Sequence, residues 1–320
     1  MVRNCGAPVG GGNPSAGVDV PEGGHRIAVL HLGLTVATLT LFATGLDLAS
    51  GTSTIISCAA ILLLGLPHGA LDLVALTTAR SPARALAIYL ALGGAMAGFW
   101  WAMPGGALLI FFAIAIGHFG EDWPGPGLVA HGGALALLAA PLLFHRTEVD
   151  AMFAVIAGSG ALPPLADSLV LVAPVAIAAA LTASAISWTT GQKTLAVSSA
   201  AALVGMVVLP PIVGFALSFG MFHSPRQFAR GLADLEGRRW RAPVVAACTA
   251  ALLLAVVIAL GGAATTLSDG AVRGTFIILS VLTVPHMMLP LTLRNLNYKH
   301  GAKLQSHQTR QLKHRNRYRA

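Results

Sequence analysis

Long uninterrupted apolar runs are the feature that most constrains how this chain can fold. They recur along most of its length at roughly 17 to 25 residues each, enough to cross the hydrocarbon core of a bilayer as helix. The 320 residues are 55% hydrophobic and only 10% charged, with a mean hydropathy of +0.75, which is too apolar for an ordinary soluble domain. We therefore predict an all-α fold, a polytopic integral membrane helical bundle.

Charges and turn residues divide the apolar part of the chain into about ten predicted transmembrane helices. The seventh and eighth are separated only by Pro210 and Pro211, so a nine-span bundle with one broken long helix is the alternative. The predicted spans cover residues 27–47, 53–79, 85–103, 105–122, 127–144, 165–188, 194–209, 211–228, 243–264 and 273–294.

Three regions follow from this division. Residues 1–24 contain seven glycines and no apolar run, so we predict a disordered polar lead-in. Residues 25–296 form the transmembrane helical domain, and residues 297–320 form a basic cytoplasmic tail. From Arg294 onward the chain carries no acidic residue, which places the C-terminus in the cytoplasm, and the ten-span topology then places the N-terminus there too.

Charge and cysteine content exclude several other classes of protein. The formal net charge of +8 comes from short loops and the tail and not from a folded soluble face, so we expect membrane lipid and not nucleic acid around this chain. The three cysteines, Cys5, Cys58 and Cys248, show no paired spacing. Neither a disulfide framework nor a thiolate metal site is supported.

Of the predicted spans that contain a histidine, four qualify best as functional, because an ionisable side chain at that depth is costly. In the ten-span topology all four spans run from outside to inside, and each histidine lies between the middle and the cytoplasmic end of its span. Four imidazoles at similar depth predict a metal site inside the bundle. They are His68, His118, His223 and His286.

Acidic residues follow two of these histidines at helical spacing. Asp72 comes four residues after His68, on the same helix face, where a carboxylate that orients the imidazole would lie. Glu121 and Asp122 come three and four residues after His118. Structural roles remain open for both sets: an interhelical hydrogen bond for His68 with Asp72, and a solvated pair for the acids at the end of span four.

The ligand type restricts the metal. Imidazole suits iron, copper, nickel or zinc, whereas calcium and magnesium prefer oxygen. Fe(2+) is favoured if the chemistry uses dioxygen, because four histidines around iron leave positions for O2 or substrate and a closed tetrahedral zinc does not. His31 in span one and His131 in span five also lie in the cytoplasmic half and are reserve candidates.

The histidine motifs resemble those of the Brp/Blh family of bacterial and archaeal β-carotene dioxygenases, polytopic membrane proteins associated with retinal supply to rhodopsins. The resemblance extends from about residue 60 to residue 290. It rests on GLPHGALD at 65–72, HFGEDW at 118–123, FHSPR at 222–226 and TVPHMML at 283–289.

The resemblance implies a multi-pass enzyme of the bacterial or archaeal cell (inner) membrane that cleaves β-carotene at its central double bond with non-haem iron and O2, giving retinal. By position, His68, His118 and His223 match family histidines thought to bind iron. The family commonly has another histidine four residues after the one at His223, where this chain has Gln227, a poor iron ligand. Either His286 or another group completes the site, or metal affinity or activity is reduced, lost or changed.

Two other classes of function stay open. The first is a non-catalytic carotenoid- or retinal-binding partner of a rhodopsin, motivated by Gln227, which predicts pigment binding without oxygen uptake. The second is a metal-ion or proton transporter, since intramembrane histidines and Asp72 could form a relay. No inverted repeat is evident in the spans, which argues against a transporter.

Overall fold

The fold is known from a computed structural model that describes residues 22–77, 79–158, 163–234, 245, 249 and 266–317, and every regular element in these ranges is helical. The predicted lead-in up to residue 21 and all but two residues of the predicted ninth span lie outside them. The helices are α1 (Glu22–Ala43), α2 (Gly51–Ala60), α3 (Pro67–Leu76), α4 (Pro82–Ala102), α5 (Pro104–Gly120), α6 (Gly127–Phe144), α7 (Arg146–Ala157), α8 (Pro163–Thr189), α9 (Lys193–Val208), α10 (Pro211–Leu217), α11 (Ser224–Asp234) and α12 (Leu267–Arg317).

Six helical segments in the described part of the chain are long and apolar enough to cross a membrane. Two further apolar helices, α5 and α9, are shorter. The all-helical class is therefore confirmed, while the polytopic membrane bundle and the count of ten spans stay predictions. The six segments are Arg26–Ala43, Gly51–Leu76, Pro82–Ala102, Gly127–Phe144, Pro164–Thr189 and Leu267–Leu296.

Local sequence explains where the helices begin. Proline occupies the first turn of α3, α4, α5 and α10, where its missing N–H costs no helical hydrogen bond. At α2 the Ser50 side chain accepts a hydrogen bond from the Ser53 amide at 3.3 Å, which satisfies one of the free amides of the first turn.

The chain reverses direction at the paired prolines. Ser218 donates to the Ala202 carbonyl at 3.4 Å, and a Cβ on Gly214 would lie 2.7 Å from the Gly205 carbonyl oxygen. These contacts pair α9 with the segment after Pro210 in antiparallel fashion, so the two are separate helices of a hairpin and not one broken helix. Only glycine fits where the backbones approach this closely.

One helix was not predicted. The segment after α6 reads as a charged outside loop, but it forms α7, in which Arg146 pairs with Asp150 through Nε and Oδ2 at 2.6 Å and with Asp167 of α8 at 2.9 Å. The i, i+4 ion pair and Glu148 in the first turn favour helix. At 12 residues α7 is too short to be found by a search for spans.

Small residues hold the best-packed part of the bundle together. Ala134, Ala139 and Ala140 of α6 and Ala173 and Ala180 of α8 are all fully buried, at 0% exposure. Such small side chains let two helix backbones approach closely. Helix α6 also packs against α5, which carries His118.

The described chain also contains two π-helical turns, Ile61–Gly65 between α2 and α3 and Ser218–His223 between α10 and α11. They pack against each other, since Ser224 donates to the Leu64 carbonyl at 2.8 Å and the Phe219 ring fills the space that a Cβ on Gly65 would occupy. Such turns re-aim side chains and are frequent at functional sites. Each of them adjoins a predicted metal ligand.

Candidate metal centre

The four predicted histidines meet in the interior. His68 lies in the first turn of α3, His118 in the last turn of α5, His223 at the end of the second π-helical turn, and His286 in α12. Ring centroids are 4.7 Å apart for His118 and His223 and 5.0 Å apart for His68 and His223. Helices that are far apart in sequence therefore bring four imidazoles around one point.

Three of them form a tighter group. One ring nitrogen each of His68, His118 and His223 lies within 4.8 Å of the others, and the three residues are 7%, 5% and 2% exposed. His286 lies at the edge of the group, with its ring centroid 5.4 Å from that of His68 and 5.1 Å from that of His118. The arrangement could hold a metal ion.

The π-helical turn before α3 sets the orientation of His68. Its Nδ1 lies 2.5 Å from the Gly65 carbonyl oxygen and 3.2 Å from Ser224 Oγ, whose own proton goes to the Leu64 carbonyl. Both neighbours of Nδ1 are therefore acceptors, which assigns the proton to Nδ1 and leaves Nε2 with a free lone pair.

A buried carboxylate orients His223. Its Nδ1 donates to Asp122 Oδ2 at 2.5 Å, and the other carboxylate oxygen accepts from Arg230 at 3.3 Å and from Gln227 Nε2 at 3.4 Å. Nε2 of His223 has no hydrogen-bond partner among the described residues. A metal-binding histidine usually gives its second nitrogen to a carboxylate in this way.

The second carboxylate pairs with a different histidine from the one suggested by the spacing. Asp72 accepts from His286 Nδ1 at 2.9 Å and from the Tyr89 hydroxyl at 3.1 Å. His68 turns its Nδ1 back to the π-helical turn instead, so Asp72 is free to join α3 to α4 and α12. Sharing a helix face with His68 was not enough to make the two side chains bond.

His118 supplies the test of whether a metal fits. Neither of its ring nitrogens, nor Nε2 of His223, has a hydrogen-bond partner in the described ranges, and all three atoms are buried. A buried polar nitrogen without a partner costs free energy, and such atoms in native proteins call for an explanation. A metal ion bound by these nitrogens would satisfy them, so the residues present fit one.

The remaining predicted residues lie farther from the nitrogens. Glu121 is exposed, and only its backbone carbonyl is seen to take part, accepting from Arg230 at 3.3 Å. Gln227 reaches Asp122 and not the histidine group. Of the reserve histidines, His31 is buried with its ring centroid 6.0 Å from that of Phe222, and His131 is exposed and bonds the Gly127 carbonyl.

An apolar cavity of about 330 Å³ lies beside the histidines, and we call it the main cavity. His68, His118 and His286 contribute to its wall, which is otherwise mostly aromatic and aliphatic. Leu73 and Leu90 line it as well and are 41% and 62% exposed on the outer surface of the bundle. The cavity therefore connects the histidine group with the outer surface of the bundle.

Three residues that help to position the candidate ligands were not predicted from the sequence. Ser224 stands next to His223 in the FHSPR motif, so its position was a usable signal. Tyr89 carries no local pattern that marks it, and Arg230 reads as an ordinary cytoplasmic charge. Both act through tertiary contacts with carboxylates on other helices.

Comparisons with known proteins cover this same part of the chain. A family model described as beta-carotene 15,15′-dioxygenase matches residues 59–294. The chain is 29% identical over 265 residues to the beta-carotene 15,15′-dioxygenase of uncultured marine bacterium 66A03, covering 72% of this chain and 90% of that protein. It is 31% identical over 283 residues to the probable beta-carotene 15,15′-dioxygenase Blh of Halobacterium salinarum, covering 72% and 81%. No solved structure matches it.

The matched residues include the four histidines, both π-helical turns and both carboxylates that orient imidazoles. Their extent agrees with the resemblance that the histidine motifs predict. The chain thus belongs to the β-carotene 15,15′-dioxygenase (Brp/Blh) family of oxidoreductases.

Proposed function

We propose that this protein is a membrane-embedded non-haem iron oxygenase that cleaves β-carotene at its central double bond with O2 to give retinal. The observation that carries the proposal is the meeting of four imidazoles from distant helices at the wall of an apolar cavity. Family membership supports the substrate class. The geometry supports a metal beside that substrate.

His68, His118 and His223 are the proposed metal ligands, and His286 is the proposed fourth. Support for the first three comes from the 4.8 Å grouping of their nitrogens. Support for His286 comes from its Nδ1, which Asp72 holds at 2.9 Å so that Nε2 is left free. With Gln227 engaged by Asp122, His286 is the candidate to complete the site.

Iron is the metal that best suits these ligands and this reaction. Imidazoles bind ferrous iron well, and when bound it supplies the redox chemistry that activates dioxygen. The protein itself contributes the positions of the imidazole rings. Asp122 and Asp72 accept the Nδ1 protons of His223 and His286, which fixes both rings, and the burial of His68 and His223 keeps bulk water from the nitrogens.

The bilayer delivers the substrate in this proposal. A long hydrocarbon such as β-carotene partitions into lipid, and the exposed Leu73 and Leu90 at the rim of the main cavity offer an entrance from the side. We propose that residues 25–296 form the catalytic unit and that this unit lies in a bacterial or archaeal cell membrane. Both termini are then cytoplasmic. A rhodopsin is the natural recipient of the retinal.

Expression in bacteria that accumulate β-carotene tests the proposal directly. Pigments are extracted and retinal is measured by chromatography, and the iron content of the purified protein is measured alongside. Retinal should appear with the wild-type chain and disappear with His68→Ala, whose iron content should fall as well. His131→Ala is the matched control, because it removes an exposed imidazole outside the histidine group and should change neither reading.

Three results would contradict the proposed function or part of it. If β-carotene persists uncleaved but co-purifies with folded, iron-supplied protein, the chain is a carotenoid-binding protein without activity on this substrate. Metal-dependent flux in proteoliposomes, lost in Asp72→Asn, would favour the transporter hypothesis. Undiminished retinal formation by His68→Ala would remove the metal site from the proposal.

A further inference from the structure

A second apolar cavity lies behind the main cavity and has no part in the function proposed above. It measures about 50 Å³, and we call it the rear chamber. Its wall comes from α5, α6, α7, α9, α10 and α12 and contains no charged residue. The residues that distinguish it from the main cavity include Leu138, Met152, Phe153, Ile156 and Met206.

Three aromatic residues separate the two spaces. Phe111, Phe119 and Phe215 line both the main cavity and the rear chamber, and we call them the aromatic partition. The ring of Phe119 lies 4.6 Å from that of His223, and the ring of Phe215 stacks on that of Phe219 at 5.5 Å. The partition therefore borders the histidine group, with one apolar space on either side.

The geometry of central cleavage requires two such spaces. β-Carotene consists of two equal halves joined at the bond that is cut, so when that bond lies at the metal, an equally long arm extends to either side of it. The main cavity, at about 330 Å³, is near the lower end of ligand pockets, which span roughly 300 to 1,000 Å³. It has room for one half of the polyene and not for both.

We propose that the rear chamber binds the second end ring of the carotenoid, the half that the main cavity does not hold, which rests on the function proposed above. The occupant is an apolar ring on a polyene arm. Every side chain named for the chamber is aliphatic, aromatic or a thioether, and a hydrocarbon ring is the ligand that such a surface binds best.

The walls of the chamber suit a space that must enlarge on binding. Met152 and Met206 are unbranched and adapt their shape more easily than branched side chains. For the arm to pass, the buried rings of Phe119 and Phe215 must turn about their side-chain torsions and open the partition. The chamber thus measures the length and ring size of the second arm, and it makes a symmetrical carotenoid a better substrate than a truncated one.

A substitution that fills the chamber tests this inference. Met152 is partly buried and lines the chamber away from the histidines, so Met152→Trp should block the second ring. We expect cleavage of β-carotene to fall by about tenfold or more, whereas a one-ringed apocarotenal, with no second ring to place, should be cleaved within about twofold of wild type. Ala154→Trp adds the same side chain on the exposed face of α7 and should leave both rates unchanged.

Comparing β-carotene with the one-ringed apocarotenal tests the rear chamber separately from the proposed oxygenase function. Equal losses on both substrates, or no loss on either, would overturn the rear chamber as a ring site while leaving the oxygenase intact. If the wild-type chain binds β-carotene without cleaving it, retained pigment replaces rate as the reading, and Met152→Trp should still lower retention. Retention equal to that of Ala154→Trp would overturn the inference in that case too.

A second variant, with the opposite effect on the volume of the chamber, keeps the inference testable if Met152→Trp does not fold. Ile156→Ala enlarges the chamber and should raise the rate on a carotenoid with a bulkier end ring, relative to β-carotene, by about threefold or more. An unchanged ratio of the two rates would count against the chamber independently of the tryptophan variant.

Discussion

Two carboxylate–imidazole pairs flank the candidate metal centre, and they are built differently. In the pair of Asp122 with His223 the side chains are 1% and 3% exposed and 2.5 Å apart, and Arg230 adds a positive charge at 3.3 Å. In the pair of Asp72 with His286 the side chains are 7% and 21% exposed and 2.9 Å apart, and the added donor is the neutral hydroxyl of Tyr89. The pair of Asp122 with His223 is therefore shielded from solvent, and the pair of Asp72 with His286 is partly exposed.

The difference teaches which pair sets the geometry of the site. A carboxylate with almost no contact with water needs compensating charge, because an unpaired buried charge is strongly destabilising. Asp122 has that compensation and in return holds His223 rigidly. Asp72 has less burial to offset, so His286 keeps more freedom of movement at the wall of the main cavity. We infer that the first pair fixes the metal and the second adjusts the substrate side.

The largest effect is expected from Asp122→Asn. The amide keeps the shape of the carboxylate but loses its charge, which weakens the bond to His223 and leaves Arg230 without its anionic partner. We expect iron affinity to fall by about 10- to 100-fold, measured by metal titration of purified protein. Asp150→Asn, in an exposed ion pair of α7, is the control and should leave affinity unchanged.

Asp72→Asn should have a smaller and different effect. Three of the proposed ligands do not depend on Asp72 and only the fourth, His286, is oriented by it, so iron affinity should fall by less than in Asp122→Asn while retinal formation falls by about tenfold. Iron affinity and retinal formation are both measured on the same preparation of protein. Loss of iron as complete as in Asp122→Asn would break the comparison and make the two pairs equivalent.

Tyr89→Phe should come next in size. It removes one neutral hydrogen bond to Asp72 and keeps the ring in the cavity wall. A bond of this kind contributes about 1 kcal/mol, so retinal formation should fall by no more than about fivefold. In the Asp72→Asn background the same change should add little, since the two residues share one network.

The smallest effect is expected from Gln227→Ala. Its amide reaches Asp122 at 3.4 Å, a long and weak hydrogen bond, and Arg230 already bonds the same oxygen. Iron affinity should change by less than about twofold. An effect as large as that of Asp122→Asn would mean that Gln227 acts at the metal itself.

The all-helical class and the grouping of the histidines were predictable from the cost of placing groups in lipid. Apolar runs must be helical there, and an ionisable side chain within such a run is usually functional. The depth of the histidines in a membrane stays a prediction. The family was predictable because the motif around His68 is specific and the three shorter motifs agree with the family in order and spacing. The count of spans stays a prediction, because most of the predicted ninth span falls on residues outside the described ranges.

The partners of the carboxylates were not predictable from spacing. Asp72 and His68 share a helix face, yet side-chain torsions and a π-helical turn direct His68 to Gly65 and leave Asp72 to His286. Periodicity gives the helix face on which a side chain lies, but it does not give the partner that the side chain bonds. The short helix α7 was missed because length was the criterion for a span.

The two π-helical turns have a consequence for how this family can vary. Each holds one residue more than a regular α-helical turn would, and the wider turn leaves backbone carbonyls available to side chains. Removing one residue from Ile61–Gly65 would let that turn close as regular α-helix, so the Gly65 and Leu64 carbonyls would no longer serve His68 and Ser224. A deletion in Ser218–His223 would redirect the side chains of that turn, His223 among them. The number of residues in these two turns therefore matters to the candidate metal centre as much as their identity does.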